Sequence, residues 1–355
     1  MSRPSAIHRQ WDFRLPVAGM AINRNGDAIA IALGDGSLRM LPARADANAV
    51  AEMALHNGVS LSLQPDADGN AFLSGGDDGN VLIVDPKLEA PTLIAEHKGR
   101  WIDHVASSAT DDFRAYAIGK HVHLLDAEGR ETATSPFACP ASAGGLAFSP
   151  NGKRLAASHY GGVTLWWTNA KASPPQNLAW KGSHLGILWQ PDGKTLVTAM
   201  QENALHGWRF SDDKEMQMQG YASKISSFAF TVKGRFLATS GAEQIVCWPF
   251  FGGGPWGKEP LALGGSDARL VTQVAPHPQD EMIAAGYDDG MVILAPMDGR
   301  MEVMIHPPIA TAPDQGAGVA GMAWNASGDC LFVALENGTL FLFTVDSVKR
   351  SLTHA

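Results

Sequence analysis

Short runs of apolar residues recur along the whole chain, each bounded by Gly, Pro, Asn or Asp. Residues 146–158 contain two such runs around a Ser-Pro-Asn-Gly turn, and residues 228–240 align with them without a gap. In both copies a further turn follows, and then an apolar run that ends in tryptophan, at Trp166 and Trp248. Apolar runs this short, between turn-forming residues, are typical of β-strands. The pattern therefore predicts a chain of many short strands.

The pattern returns in eight copies at a spacing of about 44 residues, which predicts a single repeat domain. Each copy reads as four strands: a strand with alternating polar and apolar residues, two apolar strands around a marker turn, and a last strand. The third copy is the most degenerate. The markers are Gly26, Gly69, Asp112, Gly152, Gly193, Gly234, Asp280 and Gly328. The copies span residues 7–42, 48–86, 91–127, 131–169, 175–210, 214–250, 258–297 and 301–345.

The repeat resembles that of the WD-repeat β-propellers. The residues that carry the resemblance are the phrases 148–152 (Phe-Ser-Pro-Asn-Gly) and 74–79 (Ser-Gly-Gly-Asp-Asp-Gly), together with Trp166, Trp208 and Trp248. Trp167, Arg209 and Pro249 stand where the Asp of the Trp-Asp dipeptide is expected, and the Gly-His pair is reduced to isolated His56 and His97. No copy has the complete His–Ser–Asp–Trp set of the family. The resemblance implies an all-β propeller of four-stranded antiparallel blades that serves as a scaffold for protein interactions.

Eight copies predict eight blades, with seven as the alternative if the degenerate third copy adopts another structure. Residues 7–14 look like a lone first strand, with His8 and Gln10 alternating against Trp11 and Phe13. The last copy lacks a partner after its final strand. We therefore expect the N-terminal strand to join the last blade, which closes the ring and covers two strand edges.

The composition indicates the cellular compartment and the class of partner. Lys+Arg number 27 against Asp+Glu 36, for a formal net charge of −9. This balance argues against nucleic acid as a partner, because phosphate binding requires clustered Lys and Arg. Neither a signal peptide nor a membrane span is evident, and Cys139, Cys247 and Cys330 form no CxxC motif. We expect a cytoplasmic monomer with a protein partner and no membrane attachment.

Acidic residues recur in the turn before the fourth strand of several copies, which places them on one face of the ring. Asp in such a turn usually bonds to its own backbone. The alternatives are that these residues coordinate a cation or attract a basic partner. The residues are Asp35, Asp77, Asp78, Asp288, Asp289 and Glu336.

Motifs for catalysis are absent from the sequence: it has no Gly-x-Ser-x-Gly elbow and no GxGxxG or GxxxxGK[ST] loop. His121 and His123 point to one side of a strand, with His104 on the neighbouring strand, so a metal site competes with ordinary packing. We predict no catalytic residue, cofactor or metal. The alternative is a ligand- or metal-binding propeller with enzymatic activity, its site at the mouth of the central channel.

An aromatic loop, residues 249–260, interrupts the repeat on the face opposite the acidic turns. Phe250, Phe251 and Trp256 either fold back between blades or form a knob that contacts a partner, since aromatic residues dominate interface hot spots. A second irregular loop, residues 307–318, is either a lid or a spacer. The sequence thus predicts a non-catalytic interaction scaffold with two candidate contact surfaces, the acidic turns and the aromatic loop.

Overall fold

The computed structural model describes residues 6–353 except 88, 133, 170–172, 266–268, 299 and 310–315. The first strands are β1 (Ile7–Asp12), β2 (Val17–Ile22), β3 (Ala28–Leu33), β4 (Ser37–Pro42), β5 (Ala51–Ala54), β6 (Ser60–Pro65), β7 (Phe72–Gly76), β8 (Asn80–Val84), β9 (Thr92–Glu96) and β10 (His104–Ser107). They continue with β11 (Arg114–Ile118), β12 (His121–Leu125), β13 (Phe137–Ala138), β14 (Ala143–Phe148), β15 (Arg154–Trp167), β16 (Gln176–Trp189), β17 (Thr195–Met200), β18 (Ala204–Arg209), β19 (Lys214–Met218) and β20 (Phe228–Phe230). The last elements are β21 (Phe236–Thr239), β22 (Ile245–Pro249), β23 (Leu261–Leu263), β24 (Val271–Pro276), β25 (Met282–Tyr287), β26 (Val292–Pro296), β27 (Val303–His306), β28 (Val319–Trp324), β29 (Cys330–Leu335), β30 (Thr339–Thr344) and the helix α1 (Val345–Thr353).

Antiparallel sheets formed from consecutive strands build the molecule, as the repeat predicts. Five sheets contain four consecutive strands each: β2–β5, β6–β9, β10–β13, β20–β23 and β24–β27. A sixth has the order β1-β30-β29-β28, and a wider one runs from β14 to β19. Neighbouring sheets contact one another through their first strands, for example β2 with β6 and β24 with β28. The result is a single all-β propeller.

The number of sheets differs from the prediction. With each sheet taken as one blade, the described chain forms seven blades, and the prediction of eight is wrong. The alternative reason for seven is also wrong, because the degenerate third copy forms its own sheet, β10–β13. Instead, the fourth and fifth copies share the six-stranded sheet β14–β19.

Two long strands join the fourth and fifth copies. Residues 155–159 of β15 pair with β14, and its residues 160–165 pair with β16. The backbone N–H of Thr168 donates to the carbonyl of Lys153 (3.1 Å), so β15 folds back on itself near Gly161 and Gly162, which both have positive φ. Strand β16 then passes directly from its pairing with β15 into its pairing with β17. No break separates the two copies, so they count as one sheet.

The N-terminal strand closes the ring as predicted. Strand β1 pairs antiparallel with β30, with Trp11 opposite Leu340. Its side chains alternate between half-buried and exposed, and Trp11 and Phe13 pack against a core that also contains residues of β3 and β29. The first strand of each sequence copy therefore forms the outer edge of the preceding sheet, and the first copy supplies this strand to the last sheet.

The core lies between neighbouring sheets and is built mainly from the second and third strands. Phe332 of β29 and Ile29 of β3 are fully buried in one such layer, and Tyr287 of β25 is fully buried in another. Full burial of a side chain of this size stabilises the fold by about 1.5–3 kcal/mol. Cys139, Cys247 and Cys330 are also buried, as free thiols.

The helix α1 follows the last strand and was not expected from the sequence. Its N-terminus is capped reciprocally: the N–H of Ser347 donates to the hydroxyl of Thr344 (3.1 Å), and the N–H of Thr344 donates to the hydroxyl of Ser347 (2.9 Å). In the described part of the chain no helix has the length and apolar character needed to cross a membrane. Of the second irregular loop, residues 310–315 lie outside the described residues.

Candidate functional site

The acidic turns lie between the second and third strands of their sheets, on the surface that we call the turn face. Asp35 lies between β3 and β4, and its exposed carboxylate accepts hydrogen bonds from the hydroxyl (2.6 Å) and the backbone N–H (2.9 Å) of Ser37. The hydrogen bond from the Ser37 hydroxyl is the main cause that holds the pKa of Asp35 below its usual value. Asp35 therefore fixes its own turn and still presents a negative charge to solvent.

The turn of the second copy is bonded more extensively. Asp78 accepts from the backbone N–H of Asn80 (3.0 Å) and lies 3.0 Å from Nδ1 of His56, whose Nε2 lies 2.9 Å from the hydroxyl of Ser74. Burial lowers the pKa of His56, although the charge of Asp78 acts against this shift. The copy thus contains three members of the His–Ser–Asp–Trp set, and Val84, which pairs with Phe72, stands at the position of the tryptophan. Asp77 accepts from the N–H of Val59 (2.8 Å).

The turns of the last two copies differ in exposure. Asp289 is buried; it accepts from the N–H of Met291 (3.1 Å), and its Oδ2 lies 3.4 Å from Nε of Arg269. Asp288 and Glu336 are exposed, and the described residues donate no hydrogen bond to their carboxylates. Of the predicted acidic residues, Asp35, Asp288 and Glu336 therefore present the most accessible charge, whereas Asp77, Asp78 and Asp289 mainly hold their turns.

Glu243 was missed by the sequence analysis. It is exposed in the corresponding turn between β21 and β22. The signal that could have found it is its position just before a third strand, which is the same as that of Asp35. Together with the predicted residues it forms what we call the acidic arc, which extends over five consecutive sheets. The acidic arc consists of Glu243, Asp288, Asp289, Glu336, Asp35, Asp77 and Asp78.

The aromatic loop is folded onto the opposite face. Phe250 is only 7% exposed and packs edge-on against Phe230, with ring centroids 5.0 Å apart. Phe251 is 38% exposed, and the guanidinium of Arg235 lies 4.7 Å from its ring centroid. Phe250 therefore folds back between blades, which is the first of the two interpretations of this loop.

Trp256 is anchored within the aromatic loop. Its indole N–H donates to the carbonyl of Glu215 (2.8 Å), and the guanidinium of Arg209 lies 4.0 Å above its ring. Of the three aromatic residues predicted to contact a partner, Phe251 therefore presents the largest exposed fraction.

The three histidines considered for a metal do not form a site. His123 is nearly buried, its Nδ1 lies 2.6 Å from the carboxylate of Glu131, and its ring stacks on Tyr116 at 4.7 Å, while His121 is exposed. Among the described residues, no three His, Cys, Asp or Glu side chains are grouped so that they could bind a metal ion. We therefore interpret His104, His121 and His123 as residues that pack in the fold or lie on its surface.

A cavity of about 410 Å³ lies among the first strands, where the alternative ligand site was predicted. Residues of β6, β10, β14 and β16 line it. The Arg24 guanidinium at its edge donates to the carbonyls of Asp66 and Ser107, each at 2.7 Å. The Arg24 guanidinium therefore already donates to backbone carbonyls, which leaves it less available to bind a ligand in this cavity.

Radially arranged antiparallel sheets, closed by a strand from the opposite end of the chain, define a β-propeller. The family model of the WD domain, G-beta repeat, matches residues 257–294. The matched segment contains β23, the outer strand of one sheet, and then β24, β25 and most of β26 of the next sheet. The matched segment, like the predicted copy 258–297, begins with the outer strand of one sheet and continues into the next sheet. The resemblance to WD-repeat propellers is therefore confirmed by both the fold and the match.

Proposed function

We propose that this protein is a non-catalytic scaffold that binds a basic segment of a protein partner through the acidic arc. The observation that carries the proposal is the recurrence of carboxylates at one turn position in five consecutive sheets. Clustered charge of one sign accelerates the association of an oppositely charged surface. The WD-repeat match supports the scaffold role, because propellers of this class generally mediate protein–protein interactions.

The setting is part of the same proposal. Three free buried thiols fit a reducing compartment, and we expect the protein to act as a cytoplasmic monomer. The rigidity of the ring supports the role of a platform, since each turn of the acidic arc is held between two paired strands. The partner would then meet charges whose positions are set before binding.

The test is the association rate of a partner that has been isolated by affinity capture from native lysate. Asp35→Asn, Asp288→Asn and Glu336→Gln are combined in one variant, which should associate more slowly, and added salt should have the same effect on the native protein. The matched control combines Asp68→Asn, Asp192→Asn and Glu259→Gln. Asp68 and Asp192 also cap their own turns, but these turns lie at the other end of the strands. An association rate independent of salt, together with full binding by the first variant, would contradict the proposal.

The aromatic loop is the second candidate surface, and its exposed Phe251 supports it. If a partner docks there, Phe251→Ala should weaken binding by about 2 kcal/mol or more, as for an interface anchor. The loss should appear as faster dissociation with little dependence on salt. Trp256→Ala is less informative, because Trp256 also holds the loop through Glu215 and Arg209.

A further inference from the structure

A large cavity lies between the sheet β24–β27, the last sheet and the helix α1. Its volume is about 600 Å³, which is within the range of small-molecule binding pockets. The walls are mainly apolar and include aromatic rings. They are formed by Leu294, Ile305, Trp324, Leu331, Phe343 and Val348. The cavity is on the face opposite the acidic arc, because Glu281 in its lining precedes β25 and Asp288 follows β25.

The carboxylate of Glu281 has no partner in this cavity. Both of its oxygens are shielded from solvent, and no described residue donates a hydrogen bond to them. The backbone of Glu281 is well held, since its carbonyl accepts from the N–H of Met297 (2.9 Å). An unpaired buried carboxylate is costly for the protein, and a bound cation would remove this cost.

Two other copies have a paired carboxylate at this position. In the first copy Asp27 accepts from the side-chain amide of Asn23 (2.7 Å), and in the last copy Asp329 accepts from Asn325 (2.7 Å). In each case the amide precedes the carboxylate by four residues. The pairing closes the turn between the first two strands.

In the seventh copy the residue four positions before Glu281 is His277. Its Nε2 donates to the carbonyl of Gly328 (2.8 Å), and its Nδ1 accepts from the N–H of Asp280 (2.9 Å). Both ring nitrogens are therefore used within the turn and between sheets. The histidine leaves the carboxylate of Glu281 free to face the cavity.

Other charged groups of the cavity lie towards its exterior. Arg300 is exposed and bound to the carboxylate of Asp298 (2.8 Å), and the side chain of Asp280 is mostly exposed. Lys349 of α1 also lines the cavity, but the described residues give it no ion pair. The shielded, unpaired charge in the described lining is thus the carboxylate of Glu281, and the walls are mainly apolar.

We propose that this cavity binds a small aliphatic amine, with the ammonium group at Glu281 and the alkyl chain against the apolar walls. A carboxylate prefers a charged donor, and a charge-assisted hydrogen bond in a shielded site is stronger than a neutral one. The apolar walls favour an alkyl chain over a hydrated inorganic cation. The aromatic rings of Trp324 and Phe343 make the cavity compatible with a cationic group.

The test is calorimetric and NMR titration of the full chain with n-hexylamine at pH 7.5, with 1-hexanol as the uncharged probe of the same length. We expect saturable binding of the amine, at least about tenfold weaker binding to Glu281→Gln, and unchanged binding to the exposed control Glu259→Gln. Binding of 1-hexanol should not weaken in Glu281→Gln. No saturable binding of the amine, or equal affinity in Glu281→Gln, would overturn the proposal.

A second variant separates loss of the site from loss of folding. Leu294→Trp fills the cavity and retains the carboxylate, so it should lose both probes while its circular dichroism stays native. Lys349→Met removes a cation that lines the cavity and has no ion pair among the described residues, so it should retain amine binding or tighten it. Retained affinity in Leu294→Trp, or lost affinity in a folded Lys349→Met, would place the amine elsewhere. None of these measurements uses a protein partner, so their outcome is independent of the proposed scaffold role.

Discussion

Arg114 and Asp66 form a buried, two-pronged ion pair between the second and third sheets. Nε and Nη2 of Arg114 donate to the two carboxylate oxygens of Asp66 at 2.7 and 2.6 Å, and both side chains are almost fully buried. The pair links the third copy, whose sequence pattern is the weakest, to the second copy. The sequence analysis missed it because the two residues are in different copies and no local period connects them.

Arg114→Met should lower the free energy of unfolding by about 3–5 kcal/mol, because it leaves the buried carboxylate of Asp66 without its partner. Denaturant unfolding measures the loss. The double variant with Asp66→Asn should recover part of it, as expected for two coupled residues. A loss below about 1 kcal/mol in the single variant would mean that the pair is not buried in solution.

We expect the protein to lose stability in acid because of the buried His206. It is fully buried, neither ring nitrogen has a hydrogen-bond partner among the described residues, and its ring stacks on Trp180 at 3.9 Å. Burial, with a smaller contribution from the charge of His184, lowers its pKa from 6.5 to about 3. The half-exposed carboxylate of Glu215 lies 3.7 Å from Nε2, but burial has the larger effect on this pKa.

The pKa of His206 in the unfolded and folded states determines how stability changes with pH. Between pH 6.5 and about 3 the unfolded chain binds a proton at His206 and the folded chain does not, so stability falls as the pH falls below 6.5. His206→Phe should be at least as stable at pH 7.5, and between pH 7.5 and 5 it should lose about 2 kcal/mol less than the native protein. Unfolding at a series of pH values measures this difference, with His121→Phe at an exposed site as the control. Equal slopes for the native protein and His206→Phe would contradict it.

At the scale of the strand, Trp166 near the end of β15 and Trp248 near the end of β22 are not equivalent. Trp166 is 6% exposed and stacks on Phe137 at 5.0 Å, whereas Trp248 is half-buried and its indole N–H donates to the hydroxyl of Tyr221 (2.7 Å). Trp166→Ala should therefore cost about 3–5 kcal/mol of unfolding free energy, and Trp248→Ala should cost less. Thermal and denaturant unfolding of both variants measure the order. A larger loss for Trp248→Ala would contradict this difference in burial.

The N-terminal strand is the element on which closure of the ring depends. Deletion of residues 1–14 removes the packing of Trp11 and Phe13 and leaves β30 as an open edge. We expect a large fall in melting temperature, together with aggregation, which scattering during the melt would detect. Gln10→Ser changes an exposed position of the same strand and should melt like the native protein. A truncated chain that melts unchanged and stays monomeric would refute the closure.

At the scale of the whole molecule, the two faces of the ring have different tasks in our proposals. The exposed carboxylates of the acidic arc lie in turns and carry no core packing. The combined variant Asp35→Asn, Asp288→Asn and Glu336→Gln should therefore change the free energy of unfolding by less than about 1 kcal/mol, since exposed charges contribute little to stability. Thermal unfolding measures this change. A larger loss would mean that the carboxylates serve the fold, and slower association of the variant would then have a structural cause.

The sequence by itself determined the strands, their turns and the closure. Apolar runs and Gly or Asp turns are local features, so they place strands such as β3 and β4 without knowledge of distant residues. The lone N-terminal strand and the incomplete last copy, read together, also predicted the pairing of β1 with β30. For the aromatic loop, the sequence left two alternatives, and the packing of Phe250 on Phe230 decided between them for that residue.

Only the tertiary structure decided how the copies join and which side chains meet across them. The merger of the fourth and fifth copies depends on β16, which continues without a break from its pairing with β15 into its pairing with β17, and the local sequence does not reveal it. The same holds for the pair of Arg114 with Asp66 and for the unpartnered carboxylate of Glu281. The ion pair joins residues of two copies, and the cavity at Glu281 is lined by two sheets and the helix. A repeat pattern records which positions are equivalent but not which of them lie together once the ring is closed.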